Sequence, residues 1–273
     1  VMNAFNSDGF TVVSHAISNA SSATYVAWNW LAGTAFSNDA SATSVGTIDS
    51  EGQVNTKAGF SIIKYSGSNS AGSFAHGLSS APEFIIIKQR TESANWTVAA
   101  TVAGWTYSSD YLFLNTTAAK ATNGGSSLFT SAPSSTVVNI GGGSLTSTAG
   151  EDLIAYCFHS VEGYSKVGSY VGNANADGPF VYTGFRPAWL MVKNQADAEY
   201  WIIVDNLRPG YNEVNAHLSP NVSAAEYSLG AGGLDILSNG FKIRGTSGIF
   251  NGSSDTHIYL AFAEQPFKFA NAR

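Results

Sequence analysis

Short runs of large apolar residues, about four to eight long, recur along the chain and are separated by Gly-, Asn- and Ser-rich turns. Strands of that length at such spacing predict an all-β fold of antiparallel sandwich or jelly-roll type. The run Phe84-Ile85-Ile86-Ile87-Lys88, preceded by Pro82, has a counterpart in Trp189-Leu190-Met191-Val192-Lys193, preceded by Pro187, 105 residues later. A short apolar run closed by a charge suits a strand buried on both faces, with proline tolerated at its first position. These two runs are read as the central strands of two successive units.

The surrounding pattern keeps the same offset. Trp96 returns as Trp201 and Tyr65 as Tyr170, while the late run Leu153–Phe158 returns as His257–Phe262, 104 residues on. Domain boundaries follow: a first sandwich repeat over 58–160 and a second over 161–273. Residues 1–57 are read as the closing strands of a truncated upstream repeat plus a connector. In that segment Asn6–Val12 resembles Leu237–Ile243, a turn feeding a strand, and Tyr25–Trp30 takes the place of the runs ending at Phe158 and Phe262. The chain is accordingly expected to begin inside a domain. The connector, polar over residues 31–57, is expected to hold at most a short strand near Val45–Ile48. Helix is nearly excluded, with Thr116–Ala121 as the best candidate for a single turn.

Composition narrows the function classes. Of 273 residues, 44% are apolar and only 12% charged, about half the usual charged share. A low charge with abundant Ser, Thr, Asn and Gly fits extracellular or particle-bound β-structure. The net charge of −6 and the absence of a Lys/Arg cluster argue against nucleic acid. No apolar run approaches the length of a membrane span. Cys157 is the single cysteine and sits inside an apolar run, where it reads as a buried hydrophobe. His15, His76, His159, His217 and His257 show no metal-ligand spacing, so neither a metal nor another cofactor is expected.

Other residues carry weaker chemistry. The nineteen acidic residues are scattered, and only Glu151 and Asp152 are adjacent, on opposite faces if they lie on a strand. Asp177 and Asp205 could form the carboxylate pair a glycosidase needs, but nothing in the sequence joins them, and no enzyme is expected. Asn173, Asn175 and Asp177 suggest either an oxygen-rich calcium loop or a solvated turn; the ligand set is incomplete, which favours the turn. The N-x-Ser/Thr triplets at Asn95, Asn115 and Asn221 are compositional. Carbohydrate binding needs exposed aromatic faces flanked by polar side chains. Trp105, Tyr107 and Tyr111 in one loop, and Tyr211 with Asn212 and Glu213 in the matching loop, have that composition. The reading that such aromatics cover the ends of the sandwiches or face another subunit weighs more. Trp96, Trp189 and Trp201, in strand runs, read as core.

Several of these segments resemble a known family. Gly59–Gly67, His76-Gly77-Leu78 with Ala81-Pro82, Tyr111–Thr117, Gly178–Pro187 and the closing Ala261–Arg273 are similar to repeats near the C-termini of tail-fibre proteins of tailed phages, particularly phages of marine bacteria and cyanobacteria. The resemblance covers essentially the whole chain. It implies a virion structural protein exposed on the particle surface, often beside a concanavalin-like lectin domain, adsorbing to host surface glycans alongside other virion proteins. It carries no catalytic residues. It also implies a homotrimer, to which the sequence adds a surplus of apolar side chains over what two cores of about 100 residues need. The Phe262–Phe269 tail is too apolar for a frayed end, so Phe267 and Phe269 are expected to dock. A secreted carbohydrate-binding module is the alternative function, and a polysaccharide-degrading enzyme the third.

Overall fold

A computed structural model describes residues 2–122, 127–209, 211–228 and 232–265. It divides into two compact units, Val1–Leu31 and Ala32–Arg273. In the small unit, β1 (Met2–Asn6) and β2 (Gly9–Val12) form an antiparallel hairpin, with Phe5 opposite Phe10 and Asn6 opposite Gly9 across the Ser7-Asp8 turn. Tyr25–Trp30, expected as a strand, is irregular. Its counterparts in the large unit are each paired on both sides, and residues 2–31 hold no equivalents of those flanking strands.

The first half of the large unit runs β3 (Thr34–Asn38), α1 (Ala40–Thr43), β4 (Ser50–Asn55), β5 (Phe60–Ser66), β6 (Gly72–Ala75), β7 (Phe84–Gln89), β8 (Thr97–Ala100), β9 (Leu112–Phe113), β10 (Val137–Ile140), α2 (Ser144–Ser147) and β11 (Asp152–Phe158). The second half runs β12 (Ser165–Val171), β13 (Phe180–Tyr182), β14 (Pro187–Asn194), β15 (Ile202–Asp205), β16 (Ala216–His217), β17 (Tyr227–Ser228), β18 (Leu234–Leu237), β19 (Gly240–Ile243), α3 (Gly248–Asn251) and β20 (Thr256–Ala263). The fold is all-β and its strand ladders are antiparallel. The main sheet of the first half has the order β3-β4-β5-β11-β7-β8-β9 and that of the second β12-β20-β14-β15. The two-stranded β6/β10 sheet covers one face of the first, and the β13-β19-β18 sheet one face of the second.

Alternation along the central strands feeds two different apolar layers. In β7, Ile85 and Ile87 point into the core beneath β6/β10, where they meet Phe74, Val138 and Leu153. Leu190 and Val192 of β14 do the same in the second half, against Phe241 and Ile236. The opposite faces carry Phe60, Phe84 and Phe158 in the first sheet and Trp189, Trp201 and Phe262 in the second. These rings meet one another, with Phe84 and Trp201 centroids 6.3 Å apart, edge to face, and Phe158 and Phe262 6.2 Å apart. The Trp201 indole N–H donates to the Phe113 carbonyl at 2.9 Å. The central strands are thus buried on both faces, and the second face is covered by the other half of the same chain. The apolar surplus counted from sequence as a reason for oligomers is largely accommodated there.

The two main sheets agree in detail. Phe84 pairs with Ala100 as Trp189 pairs with Asp205; Leu153 lies between Tyr65 and Gln89 as His257 lies between Tyr170 and Asn194. Tyr65 donates its hydroxyl to the Thr146 carbonyl at 2.7 Å, and Tyr170 to that of Phe250 at 2.8 Å. The backbone N–H of Trp96 is capped by Asn115 and that of Trp201 by Asn221.

Three expectations need correction. The connector supplies two full strands, β3 and β4, which extend the first sheet past β5. Ile48, the expected strand, makes only an isolated bridge to Phe74. These strands are held mainly by backbone bonds: Gly52 lies so close to β5 that a Cβ would strike the Ile62 carbonyl at 1.9 Å. Thr116–Ala121 is not helical; it lies across the loop and pairs Tyr111 with Ala121 in a bridge. Among the described residues helix instead appears as three single turns, the first capped by Asp39, whose carboxylate accepts from the Ser41 and Ala42 amides. Phe267 and Phe269 lie outside the described residues. No described helix is long and apolar enough to cross a membrane.

Candidate functional site

The sequence places its candidate aromatics in the loops after β8 and β15, and the structure treats the two loops differently. In the first, Tyr107 is only 8% exposed: it packs edge to face on Phe129, and its hydroxyl shares a 3.0 Å hydrogen bond with Thr101. Burial raises its phenol well above the usual tyrosine range. Tyr107 therefore closes the core and presents no face to a sugar. Trp105 packs on the same core, and the Lys120 ammonium sits 5.5 Å above its ring. That ammonium also bonds the Gly104 carbonyl and Asp110, each at 2.8 Å. Burial would raise the Asp110 carboxyl, but Lys120 and the Thr106 amide outweigh it and hold it below the usual carboxylate range. Tyr111 is half-buried, with its ring 5.2 Å from that of Phe113. The three aromatics are brought together, but as the lid on one end of the first core.

The second loop behaves otherwise. Tyr211 is 84% exposed. Asn212 beside it is fixed: its amide nitrogen donates to the Ile236 carbonyl at 3.0 Å and its oxygen accepts from the Ile236 N–H at 2.9 Å. Glu213 accepts from the Gly233 amide at 2.6 Å. A free ring thus stands on a loop anchored by its two neighbours. The base of the same loop is held by Arg208, which binds Asp205 at 2.7 Å and Glu226 at 2.6 Å.

The acidic candidates do not converge. Asp205 is committed to Arg208, and Asp177 to Lys242 at 2.7 Å. In the Asn173–Asp177 loop, Asn173 accepts from the Asn175 amide and Asn175 from the Asp177 amide, so these oxygens build turns. Among the described residues no group of three or more His, Cys, Asp and Glu could hold a metal. A cleft of about 220 Å³ opens where β3, β4 and β5 end, lined by Asn38, Asp39, Asp49, Glu51, Lys64 and Tyr65. Its acids already have structural roles: Asp39 caps α1, Asp49 accepts from the Ala40 amide, and Glu51 faces Lys64 at 3.5 Å.

Buried polar groups elsewhere act as ties within the fold. The Lys88 and Lys193 ammoniums each reach back over the following hairpin: Lys88 to the Gln89 and Glu92 carbonyls, Lys193 to those of Asn194 and Asp197. This explains the lysine that closes both apolar runs, a role the sequence pattern marks by recurrence but does not explain. Lys193 is fully buried, and that burial draws its ammonium down to about 8 despite Glu199 and Asp197 nearby. His76 is drawn to about 4 by burial. Cys157 is buried and its thiol pushed up to about 12.

Residues 1–266 match the model of a family described as a domain of unknown function, DUF7483. The chain belongs to this family. No curated protein and no solved structure matches the chain. The DUF7483 match takes in the β1/β2 hairpin and both halves of the larger unit. The family's unit is therefore longer than a single sandwich of about 100 residues, and the aromatic layer between the two sheets lies inside it.

Proposed function

We propose that this chain is a surface-exposed structural protein of a tailed-phage particle, part of a tail fibre or another virion fibre, and that it contributes to adsorption on host surface glycans. The observation that carries the reading is where exposed apolar side chains lie. Within residues 32–265, every large apolar side chain left exposed among the described residues falls in the second half, including Tyr182, Tyr200, Leu207 and Tyr211. One half thus serves as frame and the other offers rings on a rigid β-scaffold, an arrangement suited to adhesion. The resemblance to phage fibre repeats supports the setting. Four strands of the first sheet, β5-β11-β7-β8, share order, register and tyrosine and lysine ties with β12-β20-β14-β15, which supports a tandem of two copies of one unit of about 105 residues.

Self-association as a homotrimer, with other virion proteins as neighbours, belongs to the proposal on the strength of the resemblance. The apolar surplus no longer argues for it, because the two halves cover one another. Light scattering on the chain reads this part directly, a stable monomer counting against it.

A glycan array combined with a polysaccharide-depolymerisation assay tests the function. Saturable glycan binding without turnover is expected. Turnover abolished by a single Asp or Glu substitution would overturn the reading in favour of an enzyme. Immunogold labelling that finds the protein free in the medium, and not on particles, would favour a secreted binding module.

A further inference from the structure

The Tyr211 loop is not the only place where the second half leaves rings in water. Along β13 the side chains alternate: Val181 points into the core, while Phe180 and Tyr182 stand outward, 46% and 65% exposed. Two residues apart on a strand, they lie about 7 Å from each other on one face. Across the ladder, Lys242 of β19 faces Phe180 and Gly240 faces Tyr182. One strand further, Asp235 faces Lys242 and Leu237 faces Gly240. Gly240, which has no side chain, lies under the edge of the Phe180 ring. A Cβ there would come within 3.2 Å of the Phe180 ring and would strike the Val181 carbonyl. The result is a face that carries two exposed rings on its edge strand.

The polar groups beside the rings are balanced. Lys242 is held by Asp177 and by the Gly178 carbonyl, both at 2.7 Å, and Arg244 by Asp235 at 2.6 Å. Two cations meet two anions, so the face has no net charge with which to attract a polyanion such as nucleic acid or an anionic membrane. The fold does not need the rings. In the first half the two-stranded β6/β10 sheet stands in the matching register, with Phe74 buried as Val181 is, and there the flanking positions are Ser73 and the buried Ala75. Aromatic rings exposed where an equivalent frame does without them point to a contact.

We propose that the outer face of β13-β19-β18 is a binding site for neutral saccharides. A pyranose lays its C–H face on the Tyr182 ring, the next unit lies over Phe180, and hydroxyls reach Asp177, Lys242, Asp235 and Arg244. Stacking brings the weakly positive C–H groups onto the negative face of the ring system, and charged side chains already held in pairs supply both donors and acceptors at little ordering cost. The proposal rests on the glycan-adsorption reading and names a site through which it operates.

The test compares the full chain with the Phe180→Ala/Tyr182→Ala double variant, Tyr182→Phe and Tyr211→Ala. Each is applied to printed neutral and anionic glycans, with light scattering and a urea titration alongside. The wild type is expected to bind neutral glycans and the double variant to lose about tenfold or more, with Tyr182→Phe retaining binding. The urea midpoint should stay unchanged, because exposed side chains contribute little to folding. Three results overturn the site while leaving the adsorption reading intact: undiminished binding by the double variant when Tyr211→Ala loses it, binding confined to anionic glycans, or loss of self-association with glycan binding unaffected. Failure of the wild type to bind any glycan overturns the site and the adsorption reading together.

Discussion

Replacing Phe158 with alanine removes the ring at the centre of the layer between the two halves. Phe158 stacks on Phe60 at 4.6 Å, meets Phe84 at 6.5 Å on its own sheet and Phe262 at 6.2 Å on the other. Truncating a buried phenylalanine costs about 3–5 kcal/mol through lost transfer energy and the cavity left behind. Against a stability of about 5–15 kcal/mol typical of domains, that is a large fraction. Urea unfolding followed by far-UV circular dichroism and tryptophan fluorescence reads the effect. Trp96 and Trp105 report on the first half, Trp189 on the second, and Trp201, against Phe84, on the layer between them. If the aromatic layer couples the halves, both signals shift together to lower urea. Phe158→Leu, which keeps most of the volume, costs less than about 1.5 kcal/mol. A loss below about 1 kcal/mol for Phe158→Ala, or a shift confined to one half, would refute the coupling.

Three further outcomes are expected. His76 and His217 are each drawn to about 4 by burial, and His257 is lowered by burial too. The unfolded chain therefore binds more protons between about pH 6.5 and 4, and stability falls as pH drops through that window, by about 3 kcal/mol for each of the first two; an unchanged urea midpoint between pH 7 and 4.5 would contradict this. Lys193→Ala leaves the Asn194 and Asp197 carbonyls without their donor and costs about 1–3 kcal/mol, more than Lys88→Ala at the partly exposed counterpart, as thermal unfolding of the two variants would show. Cys157, buried with its thiol near 12, should resist iodoacetamide in the native chain and react in denaturant, with rapid native labelling counting against its placement.

Much of the fold is legible in the sequence because its central strands are buried on both faces, which demands continuous apolar runs. That demand makes the runs at Phe84 and Trp189 visible and lets their recurrence mark matching strands. β3 and β4 escape notice for the opposite reason. They extend a sheet through backbone bonds, with few large side chains, so polar sequences such as Thr34–Asn38 and Ser50–Asn55 look like a linker. The strand expected at Tyr25–Trp30 fails because apolar character alone does not make a ladder where no flanking strand is present.

The candidate site was read less well. A loop aromatic has the same composition whether it plugs a core end or faces water: Tyr107 does the first and Tyr211 the second, and only tertiary packing tells them apart. Phe180 and Tyr182 sit in a strand and so resemble core residues, although the alternation about Val181 already sets them on the outer face. The lysines closing both runs were visible by recurrence, but their reach to the hairpin carbonyls depends on a turn geometry that the sequence does not specify.

Saturation-transfer NMR on the intact chain tests most directly whether the second half is the adhesive one. Aromatic protons are irradiated in the presence of a neutral oligosaccharide chosen from the array. The expected result is transfer to the sugar C–H protons of one pyranose face, abolished in the Phe180→Ala/Tyr182→Ala variant and unaffected by Trp105→Phe in the first half. Transfer that persists in the double variant and disappears on Trp105→Phe would place adhesion in the first half and contradict the assignment.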